Sequence, residues 1–477
     1  MEEYMSTKRF RAFGVITVAA LAVTGLVVPS ANAATASRTV TIMSSAKSAE
    51  TDKLSPIIVA WAKSKGIDVK VVNKDFVAAR DEFIKSVPTG KGADLLIGPH
   101  DWTGPLVGAG VVVPVTLGSL GNQFSAATKS GFTFGGKLYG VPIYTENIAL
   151  VWNKRDSVDP SGKSLVDLIT SKDGLAITRD LTNGDPYHYS SIASSFGLPF
   201  YVRDKSGWTQ KLGYGGDGSS AYANFLVSYG KKIIRPTDGW DAKACAIQKG
   251  AYAISGPWMY NHVQDTISGC SAKPLKKSEV GIANIPSAGG KTVHQFSGAY
   301  GYWQSVKVAS QPNSIAVGKV LRFIAGSDFQ SAMYAAQGSI PANAAALSQV
   351  SDAGLKAFGQ AGTNAYPMPS FVFQDAMWLK VGAAESAIIE GKYTGDPGDF
   401  LRKAIAAAQK MEKIPSVFTK DKSIAEQVRS GLWTTVKGAS RVTFATLRSP
   451  YDYFTTAGRD ARAILTVNSR AWMLLIS

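Results

Sequence analysis

The chain has 477 residues, of which 45% are hydrophobic and 18% are charged, so we expect a globular protein with a large core and at least two domains. Its formal net charge is +16, from 51 basic and 35 acidic residues, which raises the question of a nucleic-acid partner. The basic residues are scattered, however, and no zinc-finger, RNA-binding or helix-turn-helix signature accompanies them. We therefore expect no nucleic-acid partner; adhesion to an anionic cell envelope, or simple solubility, accounts better for the charge.

The first segment, residues 1–33, has the features of an export signal. Three basic residues at positions 8–11 precede an apolar run over residues 12–28, and the small-residue triplet Ala31-Asn32-Ala33 follows. This order predicts cleavage after residue 33. An uncleaved membrane anchor is the alternative, because the run is about long enough to cross a bilayer. No cysteine lies near the predicted cut to carry a lipid, so we expect a soluble protein in the periplasm or at the outer face of the cytoplasmic membrane.

Strands and helices alternate in the rest of the chain. Apolar residues with a period of two predict strands, and apolar residues three or four apart predict helices. The segments predicted in this way are strands at 39–43, 69–72 and 94–97 and helices at 54–61, 80–87, 317–324 and from Pro397 onwards. This alternation indicates an α/β fold with mainly parallel sheets covered on both faces. Ligands of such sheets bind beyond the carboxyl ends of the strands.

The two cysteines, Cys245 and Cys270, both fall in the exported part of the chain, where thiols oxidise. We therefore predict a disulfide, which would close a loop of about 25 residues and stabilise the fold by roughly 3 kcal/mol. The four histidines include no pair with i, i+4 spacing, and two cysteines so far apart are a poor zinc site. We expect neither a metal nor a cofactor.

The most informative motif is Ser255-Gly256-Pro257-Trp258. Gly-Pro stops a β-strand, so the indole of Trp258 is held as a rigid aromatic face, and such a face suits a sugar ring. Core packing is the alternative for any tryptophan. Acidic and aromatic side chains recur in other segments that follow in a fixed order: residues 92–101, 136–146 with 151–154, 185–187, 250–258, and 367–369 followed by Trp378.

In order and spacing these segments resemble the extracellular solute-binding proteins of ABC importers, specifically their maltodextrin-binding branch. The likeness covers about residues 39–410. It implies a type II periplasmic-binding-protein fold, in which two α/β lobes with mainly parallel sheets are joined by crossover segments that form a hinge. The expected organisation is an N-terminal lobe at 34–145 plus 290–345, a C-terminal lobe at 146–289 plus 346–413, and a tail of unknown role at 414–477.

The resemblance also implies where the sugar binds. The tryptophans would stack on the apolar face of a pyranose, where covering about 100 Å² contributes roughly 2.5 kcal/mol. Carboxylates would accept hydrogen bonds from the hydroxyl rim, each contributing about 1.5 to 3 kcal/mol. The candidate substrate-binding residues are Lys47, Asp101, Trp102, Glu146, Asp185, Tyr187, Trp258 and Trp378, with Tyr189 as a further aromatic wall.

Several of these residues have ordinary alternatives or depart from the family pattern. Asp101 is equally typical of a helix N-cap, and Glu146 of a surface glutamate. Tyr187 and Tyr189 also fit a half-buried strand or helix start. Trp102 stands where relatives commonly have arginine, and Asp185 where they often have glutamate. Relatives often have arginine one helical turn after the second tryptophan, where this chain has Gly382, which indicates a different or shorter sugar than a long maltodextrin.

The implied function is the capture of a sugar by a monomeric protein, which delivers it to the permease subunits of an ABC importer without altering it. A ligand that contacts both lobes would favour their closure, which the permease recognises. A secreted glycoside hydrolase that uses Asp101, Glu146 and Asp185 is the alternative. A scaffold or adhesion protein that binds no sugar is a third. The tail is interpreted as a disordered basic segment, an envelope-binding segment or a reading-frame artefact.

Overall fold

The computed structural model describes residues 38–45, 48–178, 181–204, 207–235, 239–371 and 374–412, together with three short strands beyond residue 412. The predicted export signal, residues 1–33, lies outside the described residues, and so does Lys47. Within the described part of the chain, no helix is both long and apolar enough to cross a membrane.

Strands and helices alternate through most of the chain. The strands are β1 (Thr39–Ser44), β2 (Asp68–Asn73), β3 (Leu95–Pro99), β4 (Thr133–Phe134), β5 (Lys137–Leu138), β6 (Gly140–Asn147), β7 (Ala149–Asn153), β8 (Leu175–Ala176), β9 (Tyr201–Asp204), β10 (Gly207–Leu212), β11 (Tyr252–Ser255), β12 (Val280–Ala283), β13 (Phe296–Gln304), β14 (Ile340–Pro341), β15 (Tyr366–Pro367), β16 (Thr434–Thr435), β17 (Arg462–Val467) and β18 (Arg470–Leu475).

Most of the helices cover the two main sheets that these strands form. They are α1 (Ser48–Ser64), α2 (Phe76–Ser86), α3 (Thr103–Gly108), α4 (Ala126–Gly131), α5 (Leu165–Thr170), α6 (Pro186–Ser194), α7 (Ser219–Tyr229), α8 (Trp240–Gln248), α9 (Pro257–His262), α10 (Ser314–Ala325), α11 (Ser327–Gln337), α12 (Ala344–Leu347), α13 (Ala353–Ala361), α14 (Gln374–Glu390) and α15 (Pro397–Glu412). The predicted helices correspond to α1, α2, α10 and α15. The bounds of α2 and α10 agree with the predictions to within a few residues and α15 begins at Pro397 as predicted, whereas α1 extends well beyond the predicted segment at its N-terminal end.

The first sheet has the strand order β14-β6-β13-β3-β1-β2, with β15 paired beside β13. β1 pairs in parallel with β2 and with β3, as the predicted β-α-β units require. β13 is antiparallel to both β3 and β6. The sheet is therefore mixed rather than mainly parallel, because β6 and β13 are not joined to their neighbours by crossover helices.

The second sheet has the order β12-β7-β11-β8, and β7 runs antiparallel to both of its neighbours. Residues along β7 alternate between two cores. Leu150 packs with residues of α6, α7 and α14 on one face, whereas Ala149 and Val151 pack with residues of α8, α9 and α13 on the other. A sheet buried on both faces gives a continuous apolar run, which explains why residues 148–152 show no polar alternation.

The chain passes directly from the first sheet to the second at residues 147–149, where β6 ends and β7 begins. Asn147 fixes this passage, since its buried Nδ2 donates to the carbonyl of Phe358 in α13 at 2.9 Å. A second passage, from β12 back to β13, spans residues 284–295. Glu146 thus lies at a junction between the two sheets.

Cys245 and Cys270 form the predicted disulfide, which joins α8 to the segment after α9. The two cysteines are 25 positions apart in the sequence, and the bridge closes the loop between them. Because the chain-entropy model assigns a loop of this size about 3 kcal/mol, we expect reduction to lower the free energy of unfolding by about that amount. Urea unfolding with and without dithiothreitol, followed by tryptophan fluorescence, measures it. Equal midpoints for the oxidised and reduced proteins would contradict the prediction.

The predicted tail at 414–477 is described only in its three strands. β17 pairs with β18 along its whole length in antiparallel register, and β16 pairs with the other edge of β18. These residues therefore form a small sheet rather than irregular chain. The role of the tail stays a prediction.

Candidate functional site

Asp101 links the first sheet to a helix that packs on the second. It lies in the 3-10 turn that follows β3, and it is only 6% exposed. The indole Nε1 of Trp378, in α14, donates to Asp101 Oδ2 at 3.4 Å. The side chain of Asp101 does not act as a helix N-cap here, since Pro99 and Trp102 occupy the N-cap positions of the turn and of α3. Two of the predicted residues are thus in direct contact across the two halves of the chain.

His100, to which the sequence analysis gave no role, fixes the position of this turn. Its Nδ1 accepts from the backbone N–H of Ala299 at 3.0 Å, and its Nε2 lies 2.8 Å from the carbonyl of Met368. Burial lowers the pKa of His100, so the ring is neutral at pH 7 and Nε2–H donates to Met368. Ser370 adds a hydrogen bond to the carbonyl of Asp101. The segment before α14 is therefore attached to the end of β3.

Tyr187, in the first turn of α6, is affected by the charges of three predicted carboxylates. Burial raises the pKa of its phenol well above the usual value, and the charges of Glu146, Asp101 and Asp185 raise it further. Its ring meets Trp378 edge-on, with 6.4 Å between ring centroids. The Tyr187 hydroxyl is buried and has no hydrogen-bond partner within the described part of the chain. It is therefore a buried, unpaired polar group among the predicted site residues.

Asp185 is held by its own helix. Its Oδ1 accepts from the backbone N–H of His188 at 3.3 Å, which caps α6, and its Oδ2 lies 2.6 Å from Nδ1 of the same histidine. Burial acts to raise the pKa of Asp185, but the interaction with His188 and the charge of Lys243 outweigh it and hold that pKa below its usual range. Asp185 is therefore an anion at neutral pH.

Trp258 is half-buried and lies in the first turn of α9. This helix begins directly after strand β11 and the predicted Gly-Pro stop. Its indole folds back over Gly256, where a Cβ would come within 2.2 Å of the ring. Trp240 stacks beside it with 6.2 Å between ring centroids, and His188 meets it edge-on at 6.4 Å. Trp240 was missed by the sequence analysis, since an isolated aromatic residue at a helix start carries no motif.

Gly382 explains why the arginine of the family pattern is missing from this chain. A Cβ at this position would lie 1.8 Å from the carbonyl oxygen of Asn183 and 2.9 Å from Pro186 Cδ. The segment that leads into α6 therefore packs against α14 so closely that only glycine fits. This close approach brings Asp185 and Tyr187 to the side of α14 that carries Trp378.

Two other candidates lie elsewhere, and a third cannot be placed. Trp102 is 2% exposed and packs in the core of the first half of the chain, with Phe76 at 5.0 Å between ring centroids and the guanidinium of Arg80 at 5.4 Å. Tyr189 is fully buried in the core of the second sheet. Both positions are accounted for by packing, and we do not include them in the site. Lys47 lies outside the described residues.

Glu146 is half-buried beside Gly298, its partner in the pairing of β6 with β13. A Cβ at position 298 would lie 3.3 Å from the carboxylate of Glu146. Glycine at this position therefore avoids a close contact with the Glu146 side chain. Within the described residues, no group of three or more His, Cys, Asp or Glu side chains is arranged to hold a metal ion. The site thus combines carboxylates, a tyrosine hydroxyl and indole rings, which suit a ligand with an apolar face and a rim of hydroxyls.

The model of the bacterial extracellular solute-binding protein family matches residues 57–358, and the chain belongs to this family. The maltooligosaccharide ABC transporter solute-binding lipoprotein of Streptococcus pneumoniae is 28% identical over 349 residues, which are 67% of this chain and 77% of that protein. A maltotriose-binding protein of Pyrococcus abyssi is 23% identical over 357 residues, covering 70% of this chain and 74% of that protein.

Solved structures show the same fold. The maltotriose-binding protein of Thermus thermophilus, bound with maltotriose, superposes with a TM-score of 0.65 at 23% identity, covering 78% of this chain and 99% of that one. The maltose-maltodextrin binding protein of Alicyclobacillus acidocaldarius gives a TM-score of 0.65 at 21% identity, with 78% and 100% covered. The predicted two-lobed periplasmic-binding fold is therefore confirmed, with the mixed sheets described above.

Proposed function

We propose that this solute-binding protein captures an oligosaccharide of the maltooligosaccharide class between its two lobes and delivers it to the permease of an ABC importer. The observation that carries the proposal is the hydrogen bond from Trp378 to Asp101 beside the ring of Tyr187. The charges of Asp101, Glu146 and Asp185 also act on the pKa of Tyr187. The names of the relatives support the choice of sugar. Trp258 would stack on a further ring of the same ligand.

Delivery would depend on closure of the lobes. We take the first lobe as residues 34–145 plus 290–345 and the second as 146–289 plus 346–413, so that the passages between the sheets act as hinges. A sugar that contacts Asp101 in one lobe and Tyr187 in the other binds the closed form more tightly and shifts the population towards it. The permease would then distinguish loaded from empty protein by shape.

We also propose that the protein works as a monomer outside the cytoplasmic membrane, after export by residues 1–33. Lipid attachment through cysteine is not expected, because Cys245 and Cys270 are the two cysteines of the sequence and they form the disulfide. The Streptococcus pneumoniae relative, by contrast, is named a lipoprotein.

Binding without chemistry is favoured over glycoside hydrolysis by the relatives, which are named as binding proteins. The state of Asp185 also makes that residue a poor general acid. A glycosidase needs a carboxylic acid whose pKa is raised so that it can protonate the leaving group. The pKa of Asp185 is instead lowered, and its oxygens are engaged by His188. Incubation with maltotetraose should therefore release no new reducing ends, and turnover would overturn the proposal.

The direct test is isothermal calorimetry with maltose, maltotriose and maltotetraose, alongside trehalose, cellobiose and xylotriose. We expect heat from one or more α-glucans and a rise in the melting temperature that grows with ligand concentration. Absence of heat with every sugar would favour the scaffold alternative and would overturn the proposed function.

A further inference from the structure

The hairpin formed by β9 and β10 connects the second half of the chain to the first sheet. Its open end is fixed to α15, since Gln409 Oε1 accepts from the backbone N–H of Leu212 at 3.0 Å and Gln409 Nε2 donates to the carbonyl of Gln210 at 3.3 Å. Near its tip, the indole Nε1 of Trp208 donates to the carbonyl of Pro367 in β15 at 2.8 Å. β15 pairs in parallel with β13 of the first sheet. The function proposed above gives this hairpin no role.

Arg203, which lies opposite Trp208 in the hairpin, contacts two aromatic rings at once. Its guanidinium carbon is 5.0 Å from the ring centroid of Trp208 and 4.5 Å from that of Tyr366 in β15. The two rings are nearly perpendicular, with 5.7 Å between their centroids. His294 stacks on Tyr366 at 4.6 Å. We call Arg203, Trp208, Tyr366 and His294 the aromatic clamp. Because a cation is attracted to the faces of both rings, Arg203 holds the hairpin on β15.

The aromatic clamp lies on two segments that join the sheets. His294 belongs to the passage at 284–295, and Tyr366 ends a further passage, which leads from α13 to β15. The two passages are hydrogen-bonded to each other. Nδ1 of His294 donates to the carbonyl of Asn364 at 3.0 Å, since a carbonyl only accepts, and the backbone N–H of Tyr366 donates to the carbonyl of Gln295 at 2.9 Å. A relative rotation of the lobes must therefore move groups that the clamp holds.

Phe296, the first residue of β13, contacts both the aromatic clamp and the candidate site. It is 4% exposed. Its ring lies 6.5 Å from that of Trp208, 6.2 Å from that of Tyr187 and 5.6 Å from that of Trp378, measured between centroids. A buried ring in a close-packed core cannot shift without moving its neighbours. A displacement of the hairpin would therefore reach the aromatic residues of the site through Phe296.

We propose that Arg203 is a positioning residue of the hinge: it holds the β9–β10 hairpin on the two passages, limits the opening of the lobes in the sugar-free protein, and keeps Phe296 in place beside Tyr187 and Trp378. Arg203 does not contact the ligand. This inference rests on the proposed function. A protein that populates its binding-competent arrangement only in part binds with an affinity reduced by that fraction. Loosening the aromatic clamp therefore weakens binding although no contact with the sugar is removed.

The test compares Arg203→Gln with Lys211→Gln, which removes a positive charge from another exposed position of the same hairpin. We expect Arg203→Gln to lower the affinity for the best sugar from the calorimetric screen about fivefold, the equivalent of one exposed cation–π contact. Lys211→Gln should leave the affinity unchanged. Arg203→Lys keeps a cation beside the rings, so it should bind sugar more tightly than Arg203→Gln does.

Small-angle X-ray scattering gives a second measurement, which a merely structural residue would not change. In the sugar-free state, the radius of gyration of Arg203→Gln should exceed that of the unmodified protein, because the loosened hinge lets the lobes separate further. Saturating sugar should bring the two proteins to the same radius, since the ligand favours the closed form in both. Lys211→Gln should match the unmodified protein in each state.

The outcomes separate the two proposals. If the unmodified protein binds none of the sugars, the proposed function fails, and scattering from the sugar-free proteins still tests the clamp: equal radii for Arg203→Gln and Lys211→Gln would refute it. If sugar binds but these two variants have the same affinity, this inference alone is overturned. Should Arg203→Gln fail to fold, Tyr366→Leu, which removes one ring of the aromatic clamp, takes its place, and an unchanged affinity of that variant contradicts the inference.

Discussion

Replacing Trp258 with alanine is expected to weaken binding of the preferred maltooligosaccharide by about 70-fold. One sugar face of about 100 Å² would lose its apolar cover, and at roughly 25 cal/mol per Å² this amounts to about 2.5 kcal/mol. The effect should be this large because the indole is preorganised: it folds over Gly256 and is held by Trp240 and His188 before any ligand arrives. Isothermal calorimetry at pH 7 measures the change directly.

A matched control is Trp61→Ala. Trp61, in α1, stacks on Phe323 with 4.3 Å between ring centroids, and it packs on the first sheet away from the proposed site. We expect this substitution to lower the melting temperature of the empty protein while leaving sugar affinity within about twofold of the original value. If Trp258→Ala binds sugar as tightly as Trp61→Ala does, the indole of Trp258 is not a sugar platform and the proposed site is wrong.

The second large effect is expected from Gly382→Ala. The added Cβ would lie 1.8 Å from the carbonyl oxygen of Asn183, which is backbone and cannot rotate away as a side chain would. We expect a loss of about 3 kcal/mol in the free energy of unfolding, the upper part of the range for overpacked sites. The segment that leads into α6 must also move away from α14, so Tyr187 would shift relative to Trp378 and sugar binding should weaken at least tenfold. Urea unfolding and calorimetry measure the two effects.

Gly359→Ala provides the comparison. Gly359 lies within α13, and a Cβ there would meet no atom within 4 Å. Alanine has a higher helix propensity than glycine, so this change should stabilise the protein by roughly 0.5 to 1 kcal/mol and leave sugar affinity unchanged. Equal stability of the two variants would show that α6 and α14 are not packed as closely as described.

The same close approach bears on the identity of the ligand. A guanidinium at position 382 would donate charge-assisted hydrogen bonds to a sugar, and glycine removes them. In the proposed site we therefore expect rings and the Tyr187 hydroxyl, rather than a cation, to hold this end of the ligand. A preference for a shorter sugar than a long maltodextrin stays a prediction, which the calorimetric series from maltose to maltotetraose tests.

The local sequence was sufficient to predict several helices and strands and to recognise the order of the motifs. Periodicity over a few residues reports which faces of a segment are buried, so β1, β2 and α10 were predicted close to their observed bounds. The disulfide followed from the presence of two cysteines in an exported chain. The order of five short segments was enough to indicate the family, since each one places a polar or aromatic residue after an element of regular structure.

Only the tertiary structure showed in which direction neighbouring strands pair and which of the candidate residues lie together. The mixed pairing of β13 with β3 and β6 depends on where the chain re-enters the first sheet, which no local period records. Trp102 and Trp258 each follow a strand end in the sequence, yet one packs in a core and the other beside His188, because partners distant in the chain determine the packing of an indole.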